Sequence, residues 1–216
     1  MSYCLSSKNI LITGATGFIG SFLLKKILKN YNCRIKIVSR KKISFINKNL
    51  KIIVIDDLYH YDNWASILDD VDIIFHLIGV SHFSQKMRNQ DEYFYRTNVL
   101  LTEKIVKAAK QSNVKKFIFL SSIKVNGEFT EIGKPFLSSD KPSPQDNYGF
   151  SKLAAENKII DVCKNSNLNY TIIRPPLVYG PKVIGNFGLI IKAVKLKIPL
   201  PFKSLKNKRS LISIYN

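Results

Sequence analysis

Two kinds of hydrophobic spacing alternate along the chain. Short runs made mostly of apolar residues occur at Ile10 to Ile12, Arg34 to Val38 (RIKIV), Lys51 to Ile55 (KIIVI), Asp72 to Leu77 (DIIFHL), Lys115 to Leu120 (KKFIFL) and Tyr170 to Ile173 (YTII). Runs of this length, rich in Ile, Val and Phe, read as strands, and six of them are predicted. Between them, apolar residues return at helical spacing: Phe18, Ile19, Phe22, Leu23, Leu24, Ile27 and Leu28 after the first strand, a short stretch at Trp64 to Leu68, then Tyr93 to Ala109 and Asn147 to Ile160. Strands alternating with helices predict an α/β fold with a doubly wound parallel sheet. From Pro175 onward the pattern breaks into short segments rich in Gly and Pro, which suits a cap over the carboxyl edge of the sheet. The expected division is residues 1–174 for the sheet domain and 175–216 for a partial cap.

The first strand runs into Gly14, Gly17 and Gly20 within NILITGATGFIG, and the first helix follows at once. Glycines at this spacing allow a tight turn, let backbone N–H groups approach a pyrophosphate, and let the helix pack on its strand. The helix dipole and unpaired amides favour an anion there. Strand, glycine turn and helix together predict a Rossmann-like dinucleotide-binding domain. The second strand ends at Ser39 and Arg40, and no acidic residue occurs between Tyr31 and Leu50. An acid here would accept the ribose 2′-OH of NAD, whereas Arg accommodates the 2′-phosphate of NADP, so Arg40 favours NADP over NAD. After the third strand, Asp57 is open to two readings: a hydrogen bond from an adenine amino group, or a cap for the helix around Trp64. His76, inside an apolar strand, reads as a packed core histidine.

The net charge of +19 comes from 34 basic and 15 acidic residues. The lysines are dispersed among Asn and Ile rather than gathered on an aromatic-interleaved face, which argues against nucleic acid as partner. Three cysteines without metal spacing read as reduced thiols. The first strand begins within about ten residues of the start, too soon for a signal peptide, and no apolar run is of membrane-spanning length. A cytoplasmic protein is expected, with no membrane partner and no metal.

Ser122 closes the fifth strand, while Tyr148 and Lys152 lie one helical turn apart near the start of the last long helix. A tyrosine is a poor base at neutral pH unless a cation stabilises its phenolate, and Lys152 is the expected source of that charge. Tyr148 would then exchange a proton with a sugar or alcohol hydroxyl while hydride passes to or from a nicotinamide, with Ser122 holding the reacting oxygen.

TGATGFIG, DIIFHL, Asn98-Val99, FIFLSSIKVNG, NYGFSK and IIRPPLVYGP occur in the order found in extended short-chain dehydrogenases/reductases. The chain resembles the NAD(P)-dependent epimerase/dehydratase group of that family over residues 8–216. The resemblance implies that Gly14, Gly17, Phe18 and Ile19 approach the pyrophosphate, and that Asp57 sits near adenine. It further implies that Leu77 and Asn98 line the cofactor cleft, and that Pro175 borders nicotinamide. Ser122, Tyr148 and Lys152 are the implied catalytic set, with Tyr148 and Lys152 also on the cofactor. Asn186 and Arg209 are implied contacts to the substrate's phosphates. SSIKVNGE is similar to bacterial UDP-hexose 4-epimerases and to reductases of UDP-4-keto-6-deoxy-hexosamines in surface-polysaccharide synthesis. Ile123 and Lys124 stand where a 4,6-dehydratase carries Asp-Glu, which argues against dehydration. The expected activity is therefore 4-epimerisation of a UDP-hexose, with an NADPH-dependent keto-sugar reductase as the alternative. A homodimer is expected by analogy. Relatives carry more cap after RSLISIYN, so the chain reads as truncated, and a non-catalytic dinucleotide-binding module or inactive fragment is the reading from another class.

Overall fold

A computed structural model describes residues 5–81, 90–183, 185–200 and 208–216, with the backbone alone described at Gln90 and Asn186. The chain forms two compact units, Met1–Arg174 and Pro175–Asn216. In the first, the strands are β1 (Asn9–Thr13), β2 (Arg34–Ser39), β3 (Leu50–Val54), β4 (Ile73–His76), β5 (Lys116–Leu120) and β6 (Asn169–Ile173), joined by α1 (Phe18–Asn30), α2 (Trp64–Leu68), α3 (Gln90–Phe94), α4 (Leu101–Gln111) and α5 (Asn147–Cys163). The sheet is parallel throughout, in the order β3-β2-β1-β4-β5-β6. Strand order reverses between β1 and β4, where a doubly wound sheet opens a crevice at its carboxyl edge.

Alternation along the strands divides the core between two faces. Ile10, Ile12, Ile35 and Ile37 point to the side covered by Leu24 and Ile27 of α1. Leu11, Ile74, Phe117 and Phe119 point to the other, against α2, α4 and α5. Phe117 and Phe119 are fully buried, each worth roughly 1.5–3 kcal/mol by transfer from water. Thus β1 is buried on both sides, as its unbroken apolar run requires.

The helix expected over 93–109 contains a break in register. α3 passes into a π-helical turn, Tyr95–Leu100, before α4 begins, and the Leu101 N–H donates to the carbonyl of Arg96 five residues back. The wide turn lets Asn98 face inward. Its amide accepts from Val80 N at 2.9 Å, donates to Val80 O at 3.1 Å and donates to Ser151 Oγ at 2.9 Å. Apolar spacing does not reveal such a turn, because Phe94, Asn98, Leu101 and Ile105 still recur at helical intervals.

The second unit contains β7 (Leu177–Tyr179), α6 (Gly185–Lys195) and β8 (Leu211–Ser213), with β7 and β8 paired in parallel. Cys33 and Cys163 are free and buried, and Cys4 lies outside the described residues. Among the described residues no helix is long and apolar enough to cross a membrane, and no His/Cys/Asp/Glu group has metal-holding geometry.

Candidate active site

The glycine turn is dictated by the backbone packed around it. Gly14 has φ +73°, and a Cβ there would lie 2.7 Å from the Leu77 carbonyl carbon. A Cβ on Gly20 would lie 2.1 Å from the Gly14 oxygen. Both positions therefore require glycine for the chain's own packing. Gly17 differs: its φ is −72°, and its Cβ would meet a single protein atom, Gly14 O, at 3.3 Å. The turn is closed by a 3.0 Å bond from Gly17 N to Gly14 O. No side chain caps the start of α1 and no acid occupies its first turn, so its amides and dipole are available to an anion.

In front of this turn lies a cavity of about 480 Å³, whose lining includes Gly14, Gly17, Arg40, Asp57, Leu77 and Gly79. Five residues expected on the cofactor thus border one space. Phe18 and Ile19 lie in the first turn of α1 and do not line it. Asn98 is fully buried behind the wall and shapes it by gripping Val80. Glycines against an uncapped helix start, with a basic residue at the end of β2, fit a dinucleotide phosphate group.

Asp57 does not cap α2. Its carboxylate closes its own turn, accepting from Tyr59 N at 2.9 Å, from His60 N at 3.2 Å and pairing with His60 Nδ1 at 2.6 Å. The bond from the His60 side chain, joined by these N–H donors, holds its pKa below the usual carboxylate value. α2 is capped instead by Asn63, which accepts from Ser66 N. The sequence reading also missed a second wall. The Arg96 guanidinium lies 4.3 Å from the Tyr59 ring centroid, and both residues line the cavity. They are too far apart in sequence for any local pattern to join them.

Ser121 and Ser122 diverge at the end of β5. Ser121 Oγ turns inward and donates to Glu156. Ser122 caps a 3₁₀ turn, Ile123–Val125, accepting from Lys124 N at 3.3 Å, and its hydroxyl acts on the pKa of Tyr148. Asp146 starts α5 by accepting from Gly149 N at 2.7 Å, which fixes where Tyr148 emerges. The Phe94 ring packs against it at 6.1 Å.

Lys152 shares the face of Tyr148 but serves another partner. Its Nζ donates to Leu120 O at 2.9 Å, 4.7 Å from the centre of the Phe119 ring. A Cβ on Gly79 would meet this ammonium at 2.8 Å, so Lys152 stands directly behind the cavity wall. Burial pushes its pKa down to about 8, opposed by the nearby Glu156 carboxylate. Burial also raises the pKa of Tyr148; the Ser122 hydroxyl lowers it, Asp146 raises it and Lys124 lowers it.

Two buried networks hold this region. Glu156, 1% exposed, accepts from Arg174 Nε at 2.9 Å and from its Nη2 at 2.5 Å, while Arg174 Nη1 donates to Asn126 Oδ1 at 3.1 Å. His76 lies between Thr13 and Thr102, at 2.7 and 2.9 Å. Thr102 Oγ1 gives its proton to Asn98 O, so it accepts from His76 Nε2–H, and Nδ1 accepts from Thr13. The ring is a neutral core group, and burial, with the Lys152 charge, pushes its pKa down to about 3.

The remaining expected contacts belong to the second unit. Pro175 precedes β7, Arg209 is exposed just before β8, and Asn186 lies on α6 with its side chain outside the described residues.

The model of the NAD dependent epimerase/dehydratase family matches residues 10–215. A UDP-glucose 4-epimerase of Vibrio cholerae is 38% identical over 212 residues, covering 97% of this chain and 64% of the relative. The uncharacterized UDP-glucose epimerase YtcB of Bacillus subtilis is 30% identical over 194 residues, 80% of this chain and 57% of that protein. The chain therefore spans less than two thirds of the length of these curated relatives. The Bacillus cereus UDP-glucuronic acid 4-epimerase, solved with UDP-glucuronic acid and NAD, superimposes with a TM-score of 0.81 at 26% identity, covering 96% of this chain and 69% of that one.

Proposed function

The chain belongs to the NAD dependent epimerase/dehydratase family, and on that premise we propose that it is a nucleotide-sugar 4-epimerase using NAD or NADP on a UDP-hexose. The observation that carries this reading is the glycine turn and uncapped start of α1 fronting the cavity, with the Lys152 ammonium behind its Gly79 wall, one helical turn from Tyr148. When bound, the dinucleotide supplies a reversible hydride acceptor, so a sugar carbon can be oxidised and then reduced on its other face. Gly14, Gly17 and the start of α1 hold its phosphates, and Arg40 and Asp57 hold its adenosine end. Tyr148 Oη, ionised to the phenolate, takes the proton of the sugar 4-hydroxyl on oxidation and returns it on reduction. Ser122 Oγ orients that oxygen. Because burial raises the Tyr148 pKa, the phenolate that removes this proton becomes more abundant as pH rises. Asn186 and Arg209 hold the nucleotide's phosphates in the same reading, Pro175 borders the nicotinamide, and the protein works in the cytoplasm as a homodimer.

The test is Tyr148→Phe. Turnover of UDP-hexoses should fall by about 10²–10⁴-fold, while fluorescence titration finds NAD and NADP bound as in the wild type. Retained turnover would overturn the assignment. Arg40 on the cavity wall favours a second reading, a 4-keto-sugar reductase consuming NADPH. Net NADPH oxidation on a UDP-4-keto-sugar would select that reading.

A further inference from the structure

Lys124 has no role in the reading above, yet it touches Ser122 and the residues at the start of α5 that flank Tyr148. Its backbone N–H donates to Ser122 Oγ at 3.3 Å. Its Nζ donates to Asp146 Oδ2 at 2.7 Å, and the other oxygen of that carboxylate caps α5 through Gly149 N at 2.7 Å. The same ammonium pairs with Glu128, four residues on. A Cβ on Gly149 would lie 2.9 Å from Lys124 O, so helix and turn are in backbone contact where Lys124 spans them. One residue thus ties the turn that presents Ser122 to the helix end that presents Tyr148.

We propose that Lys124 is a positioning residue for proton transfer, holding the turn that presents Ser122 against the start of α5 that presents Tyr148 and supplying a cation there. The function of that contact rests on the epimerase reading; the bridge itself does not. Burial disfavours the Lys124 ammonium, but Asp146 and Glu128 outweigh this and its pKa is raised. Its effect on Tyr148 is downward and that of Asp146 is upward. The other charged groups on the neighbouring elements are Lys152, on Leu120 O, Arg96, over Tyr59, Asp91, on Asn147 at 2.6 Å, and Glu92, exposed on α3.

These opposite signs give a test that needs neither substrate nor cofactor. In protein carrying ¹³Cζ-tyrosine, the resonance lost in Tyr148→Phe identifies Tyr148, and its midpoint is followed by NMR with pH. Lys124→Met should raise that midpoint by about 0.5–1 pH unit, removing a favourable charge. Lys124→Arg should return it to the wild-type value. Asp146→Asn keeps a capping oxygen for Gly149 but removes the carboxylate, and should lower the midpoint. If Lys124→Met does not fold, Asp146→Asn and Lys124→Arg still decide. A midpoint that does not move in Lys124→Met and Asp146→Asn, or moves the same way in both, overturns the proposal. The pH profile of kcat/KM should follow the NMR midpoints. An inactive Tyr148→Phe with unmoved midpoints in the Lys124 variants defeats the positioning role alone. An active Tyr148→Phe defeats the epimerase reading and leaves the titration to judge the bridge.

Discussion

The carboxyl edge of the sheet is built in two different ways on its two sides. Around β1, β2 and α1 the shape is made by backbone: missing Cβ atoms at Gly14 and Gly20, a helix start without a side-chain cap, and a cavity in front. Around β5, β6 and α5 it is made by side chains: Glu156 with Arg174 and Ser121, and Lys124 with Asp146. A backbone-made site tolerates no added atom and needs no charge. A charge-made site depends on every partner staying paired, because an ion left alone in a low-dielectric interior costs several kcal/mol.

Substitutions at each side should expose this difference. The largest effect is expected from Gly20→Ala, whose methyl would fall 2.1 Å from the Gly14 oxygen. Its close neighbours are backbone atoms that cannot yield cheaply, so a loss of more than about 4 kcal/mol is expected in urea unfolding. A near-wild-type midpoint would show that the turn is softer than its geometry. Next is Glu156→Gln, which keeps the shape but strands the Arg174 guanidinium. A loss of about 3 kcal/mol is expected, and a loss below about 1 kcal/mol would mean that the network is not bound by charge. The smallest effect on folding belongs to Gly17→Ala, where the backbone is extended and the methyl meets one atom at 3.3 Å. Unfolding should change by no more than about 1 kcal/mol, while dinucleotide affinity should fall about tenfold or more, about 1.4 kcal/mol. If stability falls and affinity does not, the glycine serves the fold alone.

The same division explains what was legible beforehand. Strands, their parallel pairing and the glycine turn are written in contiguous residues, since a strand buried on both faces must be apolar throughout and a turn must be glycine where Cβ is excluded. Ser122 and Tyr148 were legible as candidates because each sits at a recognisable element end. Lys124 was seen as the residue standing where a dehydratase has an acid, not as a bridge, because its partner Asp146 lies across a long loop. Glu156 and Lys152 even look unfavourable in a helix stripe that also buries Ala155 and Ile159. Only the tertiary arrangement supplies their partners. Asp57 was ambiguous for a related reason: a carboxylate after a strand can cap any nearby amides, and sequence does not say that His60 and Tyr59 lie closer than α2.

The turn at Tyr95–Leu100 makes this part of the molecule intolerant of small changes in chain length. Each residue of an ordinary helix advances about 100° around its axis, so removing one residue between Leu100 and Thr102 would swing Asn98 away from Val80 even though no atom of the asparagine had changed. The cavity wall at Val80 is therefore set by a count of residues as much as by their identity. Descendants of this chain should keep the spacing from Asn98 to Thr102 more strictly than they keep the side chains between them.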